Sequence, residues 1–303
     1  MSEPIKGLLS VNSYHYVRGG SDAMYFSHAQ VFQRAGWENT FFSMKHPDNR
    51  PCDTEQYFAE RIDFDMSVGL AERMIQAGRI IYSRQAESRL LALLNTRRVD
   101  VAHFHCIYHH LSPSVLVAAR RRGIPTVMTA HDLKIACPAY KMMNSGGVCE
   151  RCKGGKVWNV LTHRCIKDSS AASALIAVES AVHKSLRLYD RFTDRIVVPS
   201  RFYFDKLVEW GWRPEKLAYV PNFIEPPPTV PTGVGDYFLY LGRIATEKGL
   251  RTFVRAAALA GVPVKIAGTG PDLQSLQQFA QTLAAPVEFV GFKSGEALWS
   301  LVD

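Results

Sequence analysis

VPNFIEPPPTVPT (Val220–Thr232), with YFLYLGRIATEKG (Tyr237–Gly249) soon after it, decides how this chain divides. Pro226, Pro227, Pro228 and Pro231 crowd six positions. Proline lacks an N–H and has a fixed φ, so the stretch cannot continue a helix or a central strand and reads as a stiff linker. Beyond it YFLYLGRI predicts a buried strand. EKGLRTFVRAAALAG predicts a helix with Leu250, Phe253, Val254 and Ala257 on one face. PVKIAG, PDLQSLQQFA, VEFVGF and SGEALWSLVD then continue as strand, helix, strand and helix start.

The same alternation runs upstream. Ile5–Ser13 predicts a strand, Gly19-Gly20 a turn, Ser21–Ala35 a helix and Trp37–Met44 a second strand. A helix over 83–96 leads into the strand VDVAHFHC, and a helix over Ser112–Arg122 ends at Gly123 before IPTVMTAH. A further helix from Ser169 is expected to bury Leu175, Val178, Val182, Leu186 and Tyr189. DRIVVPS follows as a strand, and Ser200 is placed to cap the next helix. Strand–helix alternation on both sides of a linker predicts an α/β protein with two Rossmann-like parallel-sheet domains. They are an N-terminal domain over 1–222, a linker over 223–232 and a C-terminal domain over 233–303. Ligands of such sheets bind at the carboxyl ends of the strands, so a cleft faced by the two domains is the expected site. The 71 residues from Gly233 hold about three strand–helix units, half of a doubly wound domain. The second domain is therefore expected to be incomplete, truncated inside a helix.

Apolar residues make up 47% of the 303, enough for two packed cores. The N-terminus MSEPIKGLLSVNS lacks the basic start and apolar run of a signal peptide, and no apolar run approaches a membrane span. A cytoplasmic location follows as the expectation, with disulfides disfavoured. The net charge of +8 is uneven. Before Phe223 there are 30 Lys/Arg against 21 Asp/Glu, and from Phe223 onward six against seven. A basic first domain attracts phosphates, nucleic acid or an anionic membrane surface, although scattered surface charge is the plainer reading. Basic–aromatic interleaving and a recognition-helix pattern are lacking, so nucleic acid is not an expected partner.

Several short motifs sit at predicted strand ends. Gly19 and Gly20 let backbone and a helix N-terminus approach a ligand closely, or simply make a turn. His103 and His105 share one face of a strand end, with His109 and His110 following. No carboxylate lies at ligand spacing there, so cleft lining or core packing is expected rather than a metal. His131 and Asp132 follow a strand, where a histidine can meet a substrate hydroxyl. Arg243 at a strand end and Lys248 near the next helix can converge on a diphosphate and neutralise it as it leaves. Gly268 and Gly270 turn a strand into a helix, a weak nucleotide signal.

Four of the six cysteines fall in CPAYKMMNSGGVCERCKGGKVWNVLTHRC (Cys137–Cys165), spaced C-x11-C-x2-C-x12-C. The central C-x2-C resembles one knuckle of a zinc site that Cys137 and Cys165 would close. Seven Lys/Arg against three Asp/Glu in 131–168 offset the charge of four thiolates on Zn²⁺. Structural zinc leads; reduced thiols without metal and redox-active or disulfide-bonded cysteines stay open. Cys52 and Cys106 read as packing residues.

GG after the first strand, HFH, HD after a strand, VPS, VPN, LGR-x4-KG, AGTGP and VEFVGF together resemble the family-four (group 1) retaining glycosyltransferases of the GT-B fold, over nearly the whole chain. The resemblance implies transfer of a sugar from a nucleotide-sugar donor to an acceptor with retention, without a catalytic metal. It implies that Gly19 and Gly20 lie near the donor phosphate and sugar and that His131 contacts the sugar. Arg243 and Lys248 would bind the diphosphate. Gly268–Pro271 and Phe292 would lie near base and ribose. It makes the basic domain the acceptor side, suited to a lipid-linked acceptor or polysaccharide precursor at the inner membrane face. The family's E-x7-E pair falls beyond Asp303. An inactive or binding-only homologue and a nucleotide-sugar epimerase on the same fold are the alternatives.

Overall fold

The computed structural model describes residues 6–62, 69–144, 147–224 and 235–302. Two compact units emerge, Met1–Phe223 and Ile224–Asp303. Of the proline-rich linker, only Phe223 and Ile224 fall within the described residues.

The first unit opens with β1 (Gly7–Val11), α1 (Gly20–Arg34) and β2 (Glu38–Phe42). Next come α2 (Leu70–Ile81), α3 (Arg84–Leu94), β3 (Val101–Phe104), α4 (Ser114–Arg121) and β4 (Thr126–Thr129). The cysteine loop contributes a small antiparallel ladder, β5 (Met143–Asn144) with β6 (Gly147–Val148), and α5 (Asn159–Thr162). The unit closes with α6 (Ser170–Ser185), α7 (Leu188–Phe192), β7 (Arg195–Val198), α8 (Arg201–Glu209) and β8 (Leu217–Tyr219).

Its main sheet is parallel, in the order β2-β1-β3-β4-β7-β8. All five residues of β1 are buried, because helices cover both faces of an all-parallel sheet. Leu9, Val11, Phe42, Phe104, Met128 and Ile196 are wholly buried at its centre. The strand order reverses between β1 and β3, the position at whose carboxyl ends such sheets bind their ligands.

Serine hydroxyls start three helices. Ser83, Ser169 and Ser200 accept hydrogen bonds from the N–H groups of Ala86, Ala172 and Tyr203. Ser200 does what its position in the sequence suggests. The inward face of α6 differs from the expected one. Ser173, Ile176, Glu179, Ser180 and His183 are buried, whereas Val178 and Leu186 are about half exposed. Hydrogen bonds turn the helix this way. Ser173 Oγ accepts from the Ile166 N–H, Glu179 pairs with Lys134, and the His183 ring meets the Ile81 carbonyl.

The second unit runs β9 (Phe238–Leu241), α9 (Leu250–Ala260), β10 (Val264–Ala267), α10 (Leu273–Thr282), β11 (Val287–Gly291) and α11 (Glu296–Trp299). Its sheet is parallel with β10 central. Leu250, Val254 and Ala257 of α9 face Val264, Ile266 and Leu276 in one core, with Phe253 partly buried beside them, as their spacing predicts. Among the described residues no helix is long and apolar enough to cross a membrane.

Candidate functional site

In the first unit the site residues lie where β1, β3 and β4 end. Asn12, one residue past β1, ties these loops together. Its Nδ2 donates to the Tyr14 carbonyl at 2.8 Å and to Asp22 Oδ1 at 3.0 Å, and its Oδ1 accepts from the Cys106 N–H at 3.1 Å. Asp22 is buried in the first turn of α1, where its charge suits the helix dipole, and its other oxygen accepts the Arg18 N–H.

Gly19 caps α1 in extended backbone and Gly20 is its first residue. A Cβ built on either would meet nothing within 4 Å. Neither packing nor backbone conformation demands glycine here, and the space before this helix start is open.

His131, just beyond β4, is half-buried and stacks at 5.2 Å on His105; a hydrogen bond of 2.9 Å joins His131 Nε2 and His105 Nδ1. Burial, aided by the nearby His28, pushes His131 down to about 4. At neutral pH its ring is uncharged and can both donate and accept. Asp132 accepts the Lys134 N–H at 2.8 Å, which shapes the loop, and burial raises its pKa against the pull of Lys134.

His103 and His105 lie under this loop rather than on an open wall, 6% and 1% exposed. His103 meets Thr129 Oγ1 at 2.8 Å through Nε2. Burial drives His103 down to about 3 and His105 well below its ordinary value. The structure adds His28 of α1, whose ring lies 5.1 Å from His103 and 5.5 Å from His105. Nothing in the sequence near His28 marks it; only the packing of α1 on the sheet brings it in.

The cysteine loop hangs from a buried ion pair. Lys134 Nζ donates to Glu179 Oε2 at 2.6 Å and to the Pro138 carbonyl at 3.0 Å, and both side chains are almost fully buried. Cys137, Cys149, Cys152 and Cys165 are all free thiols and line one cavity of about 10 Å³, with Arg151, Asn159 and His163. Burial and the other three sulfurs push Cys152 up to about 12. No three of these sulfurs close to within 4.8 Å of one another; among the described residues the trio of His28, His103 and His105 does.

In the second unit three strand-end turns are laced together. Gly242 N–H donates to the Ala267 carbonyl, Ile244 N–H to Thr269 and Gly268 N–H to Gly291, at 2.8–3.0 Å. A Cβ on Gly268 would stand 1.9 Å from the Gly242 oxygen, and one on Gly270 2.0 Å from the Ile244 oxygen. These glycines are thus required by the stacking of the β10 turn on the β9 turn. Arg243 leaves β9 on this layer and Lys248 follows in a short 3₁₀ turn before α9. Both are exposed, and neither has an ion-pair partner among the described residues. Phe292, after β11, is 73% exposed.

Residues 27–222 match the glycosyl transferase 4-like domain. None of the curated proteins compared matches the sequence. Solved structures with the same fold include the apo form of the lipopolysaccharide outer core galactosyltransferase WaaB, at 14% identity and a TM-score of 0.51. The match covers 98% of this chain and 70% of WaaB. Anabaena HepE in complex with UDP and glucose matches at 14% identity and a TM-score of 0.54, covering 95% of this chain and 70% of that one. HepE in complex with UDP-glucose matches at 15% and 0.52, covering 95% and 69%. These likenesses establish the α/β fold of GT-B glycosyltransferases. With nearly two-thirds of its length matched, the chain belongs to the glycosyl transferase 4-like family and is a glycosyltransferase by class.

Proposed function

We propose that this chain is a retaining transferase that moves a sugar from a nucleotide-sugar donor to a glycan or lipid-linked acceptor. The observation that carries the reading is the layer of hydrogen-bonded turns at the carboxyl ends of β9, β10 and β11, with Arg243 on it and Lys248 in the 3₁₀ turn that follows, two exposed cations with no ion-pair partner among the described residues. A departing diphosphate gathers charge as its bond to the anomeric carbon breaks. Cations held on a rigid layer stabilise that charge without reorganising. In the first unit the neutral His131 offers hydrogen bonds to a sugar hydroxyl, and the open space at Gly19-Gly20 admits a ligand to backbone N–H groups. The acceptor hydroxyl attacks on the face the diphosphate leaves, with no protein nucleophile. The basic first domain suits a phosphorylated acceptor at the inner membrane face, with the protein cytoplasmic and peripheral.

UDP is the first ligand to test, since HepE is seen with UDP and UDP-glucose. Each charge-assisted hydrogen bond is worth ~1.5–3 kcal/mol, so Arg243→Ala and Lys248→Ala should each weaken UDP binding by roughly 10- to 100-fold by calorimetry, with melting unchanged. Wild-type affinity in both variants would remove the diphosphate assignment.

The four cysteines, in this reading, hold a structural Zn²⁺ that sets the shape of the loop. Their spacing and their shared lining of one small cavity support it. Elemental analysis of the dialysed chain should find bound Zn²⁺ that Cys152→Ser loses. The same zinc content in wild type and variant would refute the cysteine site.

A further inference from the structure

Beside His131, at the point where the strand order reverses, one ring nitrogen from each of His28, His103 and His105 lies within 4.8 Å of one from each of the others. They come from two places, one from α1 and two from the end of β3, brought together by packing. We propose that these three histidines form a binding site for a divalent transition-metal ion of the zinc class, distinct from the four-cysteine loop.

The hydrogen bonds around the trio are those of a metal site. Metal-ligating histidines commonly engage their far ring nitrogen with a second partner, which fixes the ring and its tautomer. His103 does so through Nε2 with Thr129 Oγ1 at 2.8 Å, leaving Nδ1 available. His105 does so through Nδ1 with His131 at 2.9 Å, leaving Nε2. That Nε2 is buried and has no hydrogen-bond partner among the described residues. A buried nitrogen without a partner costs about 1–3 kcal/mol, which a bound ion would offset. Burial lowers the pKa of all three rings, so they are neutral, the form that ligates.

The donor set selects the ion. Three imidazoles without a carboxylate suit zinc, nickel or copper and disfavour magnesium or calcium. Around a tetrahedral ion with bonds of ~2.05 Å the nitrogens stand ~3.3 Å apart, so the rings need only small side-chain rotations to close. A water would complete the shell. Phe223 packs edge-on at 5.3 Å against His28 and makes an apolar wall on that side.

Cobalt(II) distinguishes this site from the cysteines. Thiolate ligands give Co²⁺ an intense near-ultraviolet charge-transfer band, and imidazole–water ligands give only visible d–d bands. The chain, stripped by chelation and titrated with Co²⁺, should take up one equivalent without the thiolate band, besides any that shows it at the cysteines. Cys149→Ser should keep that equivalent and His28→Gln should lose it. Thr129→Val, which removes the hydrogen bond orienting His103, should bind it about 10- to 100-fold more weakly. His28 is only half-buried, so His28→Gln should fold; if it does not, the Thr129→Val comparison decides by itself. Co²⁺ binding that always carries the thiolate band, or is unchanged in the folded variants, would show the trio to be core packing alone.

Discussion

Glu179→Ala should lower the stability of the first unit by about 3–5 kcal/mol, the range for removing one partner of a buried ion pair. Lys134 and Glu179 are 4% and 1% exposed at their side chains. Without the carboxylate, the ammonium keeps among the described residues a single carbonyl, that of Pro138. At ~2–4 °C per kcal/mol for a unit of this size, the melting temperature should fall by roughly 6–20 °C. The double variant Lys134→Met/Glu179→Leu should recover most of the loss, because no unpaired charge then remains buried. A loss below about 1 kcal/mol in the single variant would mean that water reaches the pair. Acid should act through the same group. Burial pushes the Glu179 carboxyl up, but His109, 3.4 Å from Oε1, and the Lys134 charge outweigh it and hold it at about 2. A depressed carboxylate stabilises the fold fully above its unfolded value of 4.5 and loses that contribution as pH falls toward 2. Urea midpoints measured between pH 5 and 2.5 should therefore drop more steeply in wild type than in Lys134→Met/Glu179→Leu.

Gly268→Ala and Gly270→Ala should disrupt the second unit while sparing the first. Each added methyl would collide with a backbone oxygen, at 1.9 and 2.0 Å, and a backbone oxygen cannot rotate aside. Overpacking of this kind costs about 1–3 kcal/mol. Gly268 also has φ +145, which adds about 1–3 kcal/mol for a residue with a side chain. Hydrogen exchange should show β9 and β10 losing protection and β1 and β3 keeping theirs, and UDP binding should vanish in Gly268→Ala. The contrasting variant is Gly20→Ala, whose methyl meets nothing and whose backbone is helical; it should fold with stability within about 1 kcal/mol of wild type. If Gly268→Ala matched Gly20→Ala in protection, the stacking of the two turns would be refuted.

Strand–helix alternation was legible because a buried parallel strand is a short apolar run and α9 shows its face at helical spacing. The α6 face was not legible. Apolar periodicity points to Val178 and Leu186, whereas Glu179 and His183 are inside because partners far away in sequence, Lys134 and Ile81, satisfy them. Nor was α2, where Met74 and Ile75 are exposed and no serine caps the start. Of the site, the residues at strand ends could be read from sequence, because topology fixes where a strand end lies. Gly268 and Gly270 were visible as a turn, but only the structure shows that one strand-end turn rests on another through them. His28 was invisible, since its partners lie 75 and 77 positions away and only tertiary packing joins them.

The chain leaves β4 at Thr129 and returns at Arg195 to β7, which is the next strand of the sheet, with Val127, Met128 and Thr129 paired to Arg195, Ile196 and Val197. The ladder fixes the two strands, and because they are parallel the chain must cross from the carboxyl end of β4 to the amino end of β7, a return made through α6 and α7. Closure entropy grows only as the logarithm of loop length, about 0.6 kcal/mol per doubling. Length alone therefore costs little, but Lys134 on Glu179 and the core residues Ile135, Ala136, Cys137, Ala139, Met142 and Val160 anchor the segment to the sheet. Its exposed positions, Tyr140, Met143, Val148 and Trp158 among them, are where evolution and the engineer can redraw the rim above an unaltered sheet.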